Sequence, residues 1–576
     1  MERAYDLVIR GGEVFDGDGG PGRAADVAVK DGRIAIVGKV VGAGVEEIDA
    51  RGQIVTPGFV DIHTHYDGQA TWDGRMQPSS WHGVTTVVMG NCGVGFAPCR
   101  SEDHDRLIRL MEGVEDIPFP VLTEGLPWTW ESYPQYLDTL ARRRFDVDIA
   151  SQLPHAALRV FVMGQRGVDR EAASAADIAA MAAFAKEAVE AGALGFTTSR
   201  TLNHRTSDGQ PTPTLTAGED ELTGIAMGLA AAGRGVIQVV SDFADPLEEF
   251  AMLRRIAERS GRPLSFTLAQ GGRDPSAYRV LLGVLEAAVA DGLSMKAQVA
   301  ARAVGVLLGL ELTVNPFSRH PLYRQIADLP LAERVSRLRD PGFQARLFAD
   351  PPQERGRPMS SDWTRMHLFG ARPDYEPGPE STVAAQAAAR RATPEAVALD
   401  HMLKNGGRGM LYVPFLNYAQ GSLDAVREMI VHKDSVPGLS DGGAHVGMIC
   451  DGSFPTSMLT LWSRDRVRGP KIPLESVVRM QTRDTARTVG LNDRGRLAPG
   501  YRADINVIDY DALTLHEPRV AYDMPAGGRR LIQRASGYAA TLLAGEITYR
   551  EGEPTRALPG RLVRGATTAP MAMAGE

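Results

Sequence analysis

Residues 58–69 read GFVDIHTHYDGQ. A glycine and a short apolar run lead into His-x-His, and a Tyr-Asp pair follows. Side chains two apart on a strand point to one face. His63 and His65 therefore leave the strand together, with Asp61 one pair earlier on the same side. At the C-terminal end of a barrel strand both imidazoles would point into the mouth, where two neutral imidazoles are good ligands for Zn²⁺. Two polar histidines hydrogen-bonded beside a turn would give the same spacing. What the rest of the chain supplies decides between the two.

The 576 residues are 43% hydrophobic and 23% charged, which suits a globular protein with a sizeable core. A net charge of −8 offers a nucleic-acid backbone no attractive face. No apolar run reaches the roughly 18 residues needed to cross a bilayer, and MERAYDLVIRGG has no signal-peptide pattern. Three cysteines, Cys92, Cys99 and Cys450, argue against a disulfide scaffold. The cytoplasm is the expected compartment, with no nucleic-acid or membrane partner. A homo-oligomer is left open.

Both ends of the chain read as short strands between turns. Residues 7–10, 26–29, 34–37 and 53–55 form one series, with Lys30-Asp31-Gly32 as a hairpin signal. Residues 503–508, 540–543 and 547–549 form the other. A small β-sandwich built from 1–57 and 491–565 is expected, with 566–576 as a frayed tail.

The middle alternates strand and helix. Residues 85–89, 194–198, 236–240 and 264–268 read as strands. Residues 175–191 read as a helix capped by Ser174 and stopped at Gly192. Residues 246–259 read as another, with Asp245 as cap and Pro246 in the first turn. Repeated β-then-α units imply a parallel sheet with helices outside, so the fold class is α/β, a (β/α)₈ TIM-like barrel over 58–490. No G-x-G-x-x-G opens a helix, so a dinucleotide fold lacks its usual sign. Residues 313–400, rich in Pro, Arg and Asp, break the rhythm and read as an insertion. It would be either an active-site cover or a surface excursion.

More candidate ligands stand at strand ends. Residues 439–445, LSDGGAH, place Asp441 in a glycine-rich loop, as metal ligand, general base or simply a turn residue. Residues 89–95, MGNCGVG, place Cys92 directly after a strand, as a soft ligand or a buried free thiol. Arg200, in SRTLNHR (199–205), could pair with a substrate carboxylate or with a neighbouring acid. His204, in the same stretch, is a stand-in ligand or a hydrogen-bond donor. His155 would contact substrate or cap structure. Asp242 is a weaker third ligand.

These stretches carry a resemblance over nearly the whole chain. PGFVDIHTH (57–65), GVTTVVMGNCG (83–93), GALGFTT (192–198), SDG (440–442) and LAPGYRAD (497–504) are similar to the amidohydrolase superfamily, and within it to the D-aminoacylase or N-acyl-D-amino-acid deacylase group. The resemblance implies a metal-dependent barrel with a small β-sandwich. His63 and His65 would bind one metal position, Cys92 would bind or bridge, and Asp441 would be the catalytic acid/base. The group also uses two histidines from middle strands, and here the pattern breaks: neither 264–270 nor 294–300 contains one. Gln298 is the candidate replacement, and a carbamylated Lys296 is another. The expectation is one Zn²⁺ per chain and a hydrolase of amide C–N bonds in a small-molecule amide substrate, deacylating N-acyl-(D-)amino acids. The alternatives are another C–N substrate (a cyclic amide, an N-carbamoyl compound or a small peptide) or a catalytically degenerate binding protein.

Overall fold

The computed structural model describes residues 3–349 and 362–571. Eight parallel strands form the barrel: Phe59–Asp61, Val84–Met89, Asp148–Ser151 continued by Leu153–Pro154, Gly195–Arg200, Val236–Ser241, Leu264–Leu268, Met295–Ala300 and Ser435–Gly438. The ring closes just past the first and eighth strands. The Asp441 N–H donates to the His63 carbonyl at 3.1 Å, and the His65 N–H to the Gly442 carbonyl at 2.8 Å. The His-x-His stretch is thus one lip of the closing seam and the Asp441 loop is the other.

Local signals set the helices. Ser174 and Asp177 form a reciprocal capping box at the start of Ala175–Ala191, and Gly192 ends that helix at φ 119°. Asp245 accepts from the Glu248 N–H at the start of Pro246–Ser260, with Pro246 in the first turn.

The chain ends make one nine-stranded sheet. Its join is antiparallel pairing of Ile54–Pro57 with Ile505–Ile508. Leu7, Ile9, Val27, Val29, Val55, Ile505, Val507 and Leu542 fill the core of this small β-sandwich. At the start of the expected tail, the Thr567 hydroxyl donates to Asp493 at 2.8 Å and its N–H to the Gly490 carbonyl at 2.9 Å. Residues 572–576 lie outside the described residues.

Between the seventh and eighth strands the chain makes a separate antiparallel sheet from Val304–Leu308, His367–Phe369 and Met410–Leu416. It has its own apolar core around Leu308, Leu338, Leu399 and Leu411. The excursion therefore runs wider than 313–400, because its outer strands carry the same apolar pattern as barrel strands. Residues 350–361 lie outside the described residues.

Arg302, fully buried just past the seventh strand, ties these parts together. It donates to Asp451 at 2.9 Å and Ser457 at 2.7 Å and lies 3.4 Å from the Tyr375 ring centroid. Replacing one member of a buried ion pair strands the other charge. Arg302→Met should therefore lose about 3–5 kcal/mol, read as a lower denaturant midpoint; an unchanged midpoint would contradict this role.

Candidate metal centre

The first barrel strand delivers His63 and His65 to the mouth while Thr64, facing away, donates its hydroxyl to the Val88 carbonyl at 2.8 Å. Both imidazoles are buried. His63 Nδ1 lies 3.1 Å from the Gln298 amide oxygen, and the Gln298 amide nitrogen donates to the Ser265 hydroxyl at 2.9 Å. Gln298 therefore fixes the tautomer that leaves His63 Nε2 free. That nitrogen faces Cys92 Sγ at 3.2 Å and Asp441 Oδ1 at 3.3 Å. Burial pushes His63 down to about 4, which keeps it neutral.

Cys92 reaches the cluster through a tight turn after the second strand. Gly90 takes φ 85°, and a Cβ there would meet the Gln152 carbonyl oxygen at 2.1 Å. Cys92 itself sits at φ 54°. Asp67 holds this turn by accepting from the Gly90 N–H at 3.1 Å. Tyr66 donates to the Ser79 hydroxyl at 2.8 Å and leaves no room for a side chain at Gly443. This is the work of the Tyr-Asp pair behind His-x-His. Asp61 supports the opposite lip, accepting from the Ser440 hydroxyl.

Asp441 takes φ 48°, a left-handed conformation that brings its carboxylate back over the two imidazoles. Oδ1 is 3.3 Å from His63 Nε2 and 3.5 Å from His65 Nε2. Burial would raise its pKa, but the facing His65, His63 and His445 imidazoles outweigh that and hold it well below the carboxylate range. Burial pushes the Cys92 thiol up to about 12.

The donor set fits a metal. Ligand atoms of His63, His65 and Cys92 all lie within 4.8 Å of one another, the spacing of donors around a single ion. His65 Nε2 and Asp441 Oδ1 are buried without a hydrogen-bond partner although they face each other, as expected of groups arranged for a shared cation. Two imidazoles, a thiol and a carboxylate are a Zn²⁺-type set.

The other expected residues are placed differently. His204, bonded to the Ser199 hydroxyl at 2.8 Å, stands close enough for His445, His65 and Asp441 to act on it; burial first, then His445 and His65, push it down to about 3. Arg200 is engaged by Glu249 at 2.6 Å on the wall of a separate cavity of about 440 Å³. His155 is fully buried between Thr198 at 2.8 Å and Glu221 at 3.0 Å. Asp242 accepts from Thr201 and the Leu202 N–H, and Lys296 pairs with Asp434 at 3.3 Å. Arg200, His155, Asp242 and Lys296 are thus each engaged by a partner on another segment, whereas His204 alone of these stands beside the cluster. Gln298 meets His63 on the nitrogen opposite the ligand atoms, so the structure gives it an orienting place instead of a ligand's. The three middle strands from Val236 to Ala300 hold no histidine.

Two site residues escaped the sequence reading. Glu115 ends the helix His104–Glu115 with its carboxylate 3.3 Å from His65 Nδ1. His445 lies 3.5 Å from Glu115 and 3.9 Å from Asp441. His445 had a signal, four residues after Asp441 in one loop; Glu115 reads only as the last turn of an amphipathic helix.

The amidohydrolase family matches residues 46–549. An N-acyl-D-glutamate deacylase of Alcaligenes xylosoxydans xylosoxydans is 27% identical over 573 residues, covering 98% of this chain and 97% of that one. Among solved structures, N-acyl-D-glutamate deacylase of Bordetella bronchiseptica, complexed with zinc and a phosphonate inhibitor, is similar with a TM-score of 0.66 at 24% identity, over 98% of this chain and 100% of that one. A D-aminoacylase gives a TM-score of 0.64 at 24% identity, over 97% and 100%. The chain belongs to the amidohydrolase family, and its fold is of the D-aminoacylase kind. Among the described residues no helix is long and apolar enough to cross a membrane.

The Cys92 turn gives a direct test. Gly90→Ala meets both a left-handed φ and a backbone oxygen, whereas Gly209, also at φ 85°, has open space around it. Gly209→Ala should cost about 1–2 kcal/mol of left-handed strain. Gly90→Ala should cost clearly more in denaturant unfolding; equal costs would show that the Gly90 approach is not constraining.

Proposed function

We propose that this chain is a metal-dependent hydrolase of amide C–N bonds that deacylates N-acyl-(D-)amino acids, with one Zn²⁺ held by His63, His65 and Cys92 and with Asp441 as acid/base. The observation that carries the reading is the Asp441 carboxylate lying 3.3 and 3.5 Å from the two imidazole nitrogens of a His-His-Cys donor set. The likeness to an N-acyl-D-glutamate deacylase over 98% of the chain supports the substrate class. The lack of histidines on the middle strands supports one ion in place of two.

A divalent ion bound there supplies a Lewis acid that acidifies a water and polarises the scissile carbonyl. The chain's own residues do the rest. The neighbouring imidazoles keep Asp441 ionised, so it can take a proton from the attacking water. It is the partly open member of the cluster, with 18% of its side chain exposed, so the same carboxyl can return that proton to the leaving nitrogen. Gln298 keeps the His63 ligand nitrogen unprotonated. His204, beside the cluster, would contact bound substrate. Three free, buried cysteines support a reducing, cytoplasmic setting.

Asp441→Asn should lower kcat on N-acyl-D-amino acids by at least about 10²-fold, the size of a lost general base, while the protein stays folded. A panel of D- and L-acyl amino acids with both proteins reads the chirality directly. Hydrolysis of none of them by the unsubstituted protein, or full activity in Asp441→Asn, would contradict the reading.

A further inference from the structure

Glu115 is 1% exposed, and neither carboxylate oxygen has a hydrogen-bond partner. A buried carboxylate without partners is costly. Its surroundings say what it serves. Oε1 is 3.3 Å from His65 Nδ1, itself buried and otherwise unpartnered, and Oε2 is 3.5 Å from His445 Nε2. These buried groups thus face each other at ion-pair distance.

The backbone holds Glu115 in that place. The helix His104–Glu115 stops there because Asp116 turns left-handed at φ 52°. The Glu115 carbonyl accepts from the His445 N–H. Asp116 accepts from the Gly447 N–H at 3.1 Å and from the Thr313 hydroxyl at 3.0 Å. Gly113 lets the helix lie against the 201–211 loop, where a Cβ would meet the Thr206 backbone at 2.1 Å. Three separate segments thus fix the helix end, and Glu115 is aimed at the side of His65 away from Asp441.

We propose that Glu115 is a positioning residue for the metal centre. By accepting from His65 Nδ1–H it selects the tautomer and ring setting that turn Nε2 toward His63 and Cys92. The two imidazoles are then backed unequally, His63 by the neutral amide of Gln298 and His65 by a carboxylate, which makes His65 the more basic donor. The inference rests on the metal reading of the site.

The test compares zinc affinity of the full chain, by competition with a chromophoric chelator, for the unsubstituted protein, Glu115→Gln, Glu115→Ala and His65→Ala. The visible spectrum of each Co²⁺-loaded protein is recorded alongside. Glu115→Ala should weaken zinc binding about ten- to a hundredfold. Glu115→Gln, which keeps an acceptor oxygen and folds as an isostere, should recover part of that loss. Both should shift the Co²⁺ ligand-field bands while the cysteine-to-metal band persists. Affinities within about twofold of the unsubstituted protein and an unshifted spectrum would overturn the proposal. Equal losses in both variants with an unshifted spectrum would assign Glu115 a merely structural role and overturn it as well. If the unsubstituted protein binds no zinc, the metal reading fails and takes this inference with it; zinc binding lost only in His65→Ala would sink the inference alone.

Discussion

The structure depends on the seam where the barrel closes. Two backbone hydrogen bonds, from Asp441 to His63 and from His65 to Gly442, join the first strand to the loop after the eighth. They bring together residues almost 380 positions apart, so the ring cannot close without assembling most of the cluster. Left-handed backbone at Leu439, Asp441, Gly443 and His445 lets the loop fold back over the imidazoles. Such conformations persist only where surrounding contacts over-determine them. Here Asp61 holds Ser440, Tyr66 packs on Gly443, and Asp116 holds Gly447.

A second constraint is the order in which polar groups are buried. Behind each member of the candidate cluster stands a polar group: Gln298 behind His63, Glu115 beside His65, and Asp67 under the Cys92 turn. On the ligand side the nitrogen of His65 and the facing oxygen of Asp441 have no protein hydrogen-bond partner. A set of donors supported from behind and unsatisfied in front is what a cation site requires. The partner-filled networks of His155 and Arg200, complete within themselves, lack that asymmetry.

Much of this was legible in the sequence. His63, His65, Cys92 and Asp441 each follow a strand pattern directly, so period-two reasoning and strand-end position bring them together. Ser174, Asp245 and Gly192 marked helix ends because capping is local chemistry. The pairing of the two chain ends followed from strand signals without an intervening helix. What was not legible depends on long-range packing. Glu115 looks like any acidic residue on a helix, and its role exists only because Asp116 and Gly113 seat that helix against two loops. Arg200 carried a plausible charge, but Glu249, on the next helix, takes it up. The width of the insertion was hidden because Val304–Leu308 and Met410–Leu416 have the same apolar content as barrel strands and reveal their antiparallel pairing only in space.

The absence of histidine from the middle strands leaves a cluster drawn from the ends of the first, second and eighth strands, and the proposal of a single ion rests on that. The most direct measurement is metal content by plasma mass spectrometry on protein purified without chelator or added metal, beside the His63→Ala, His65→Ala double variant. About one zinc per chain, lost in the double variant, is the result this account requires. A folded protein that carries no metal and stays empty after zinc addition would contradict it.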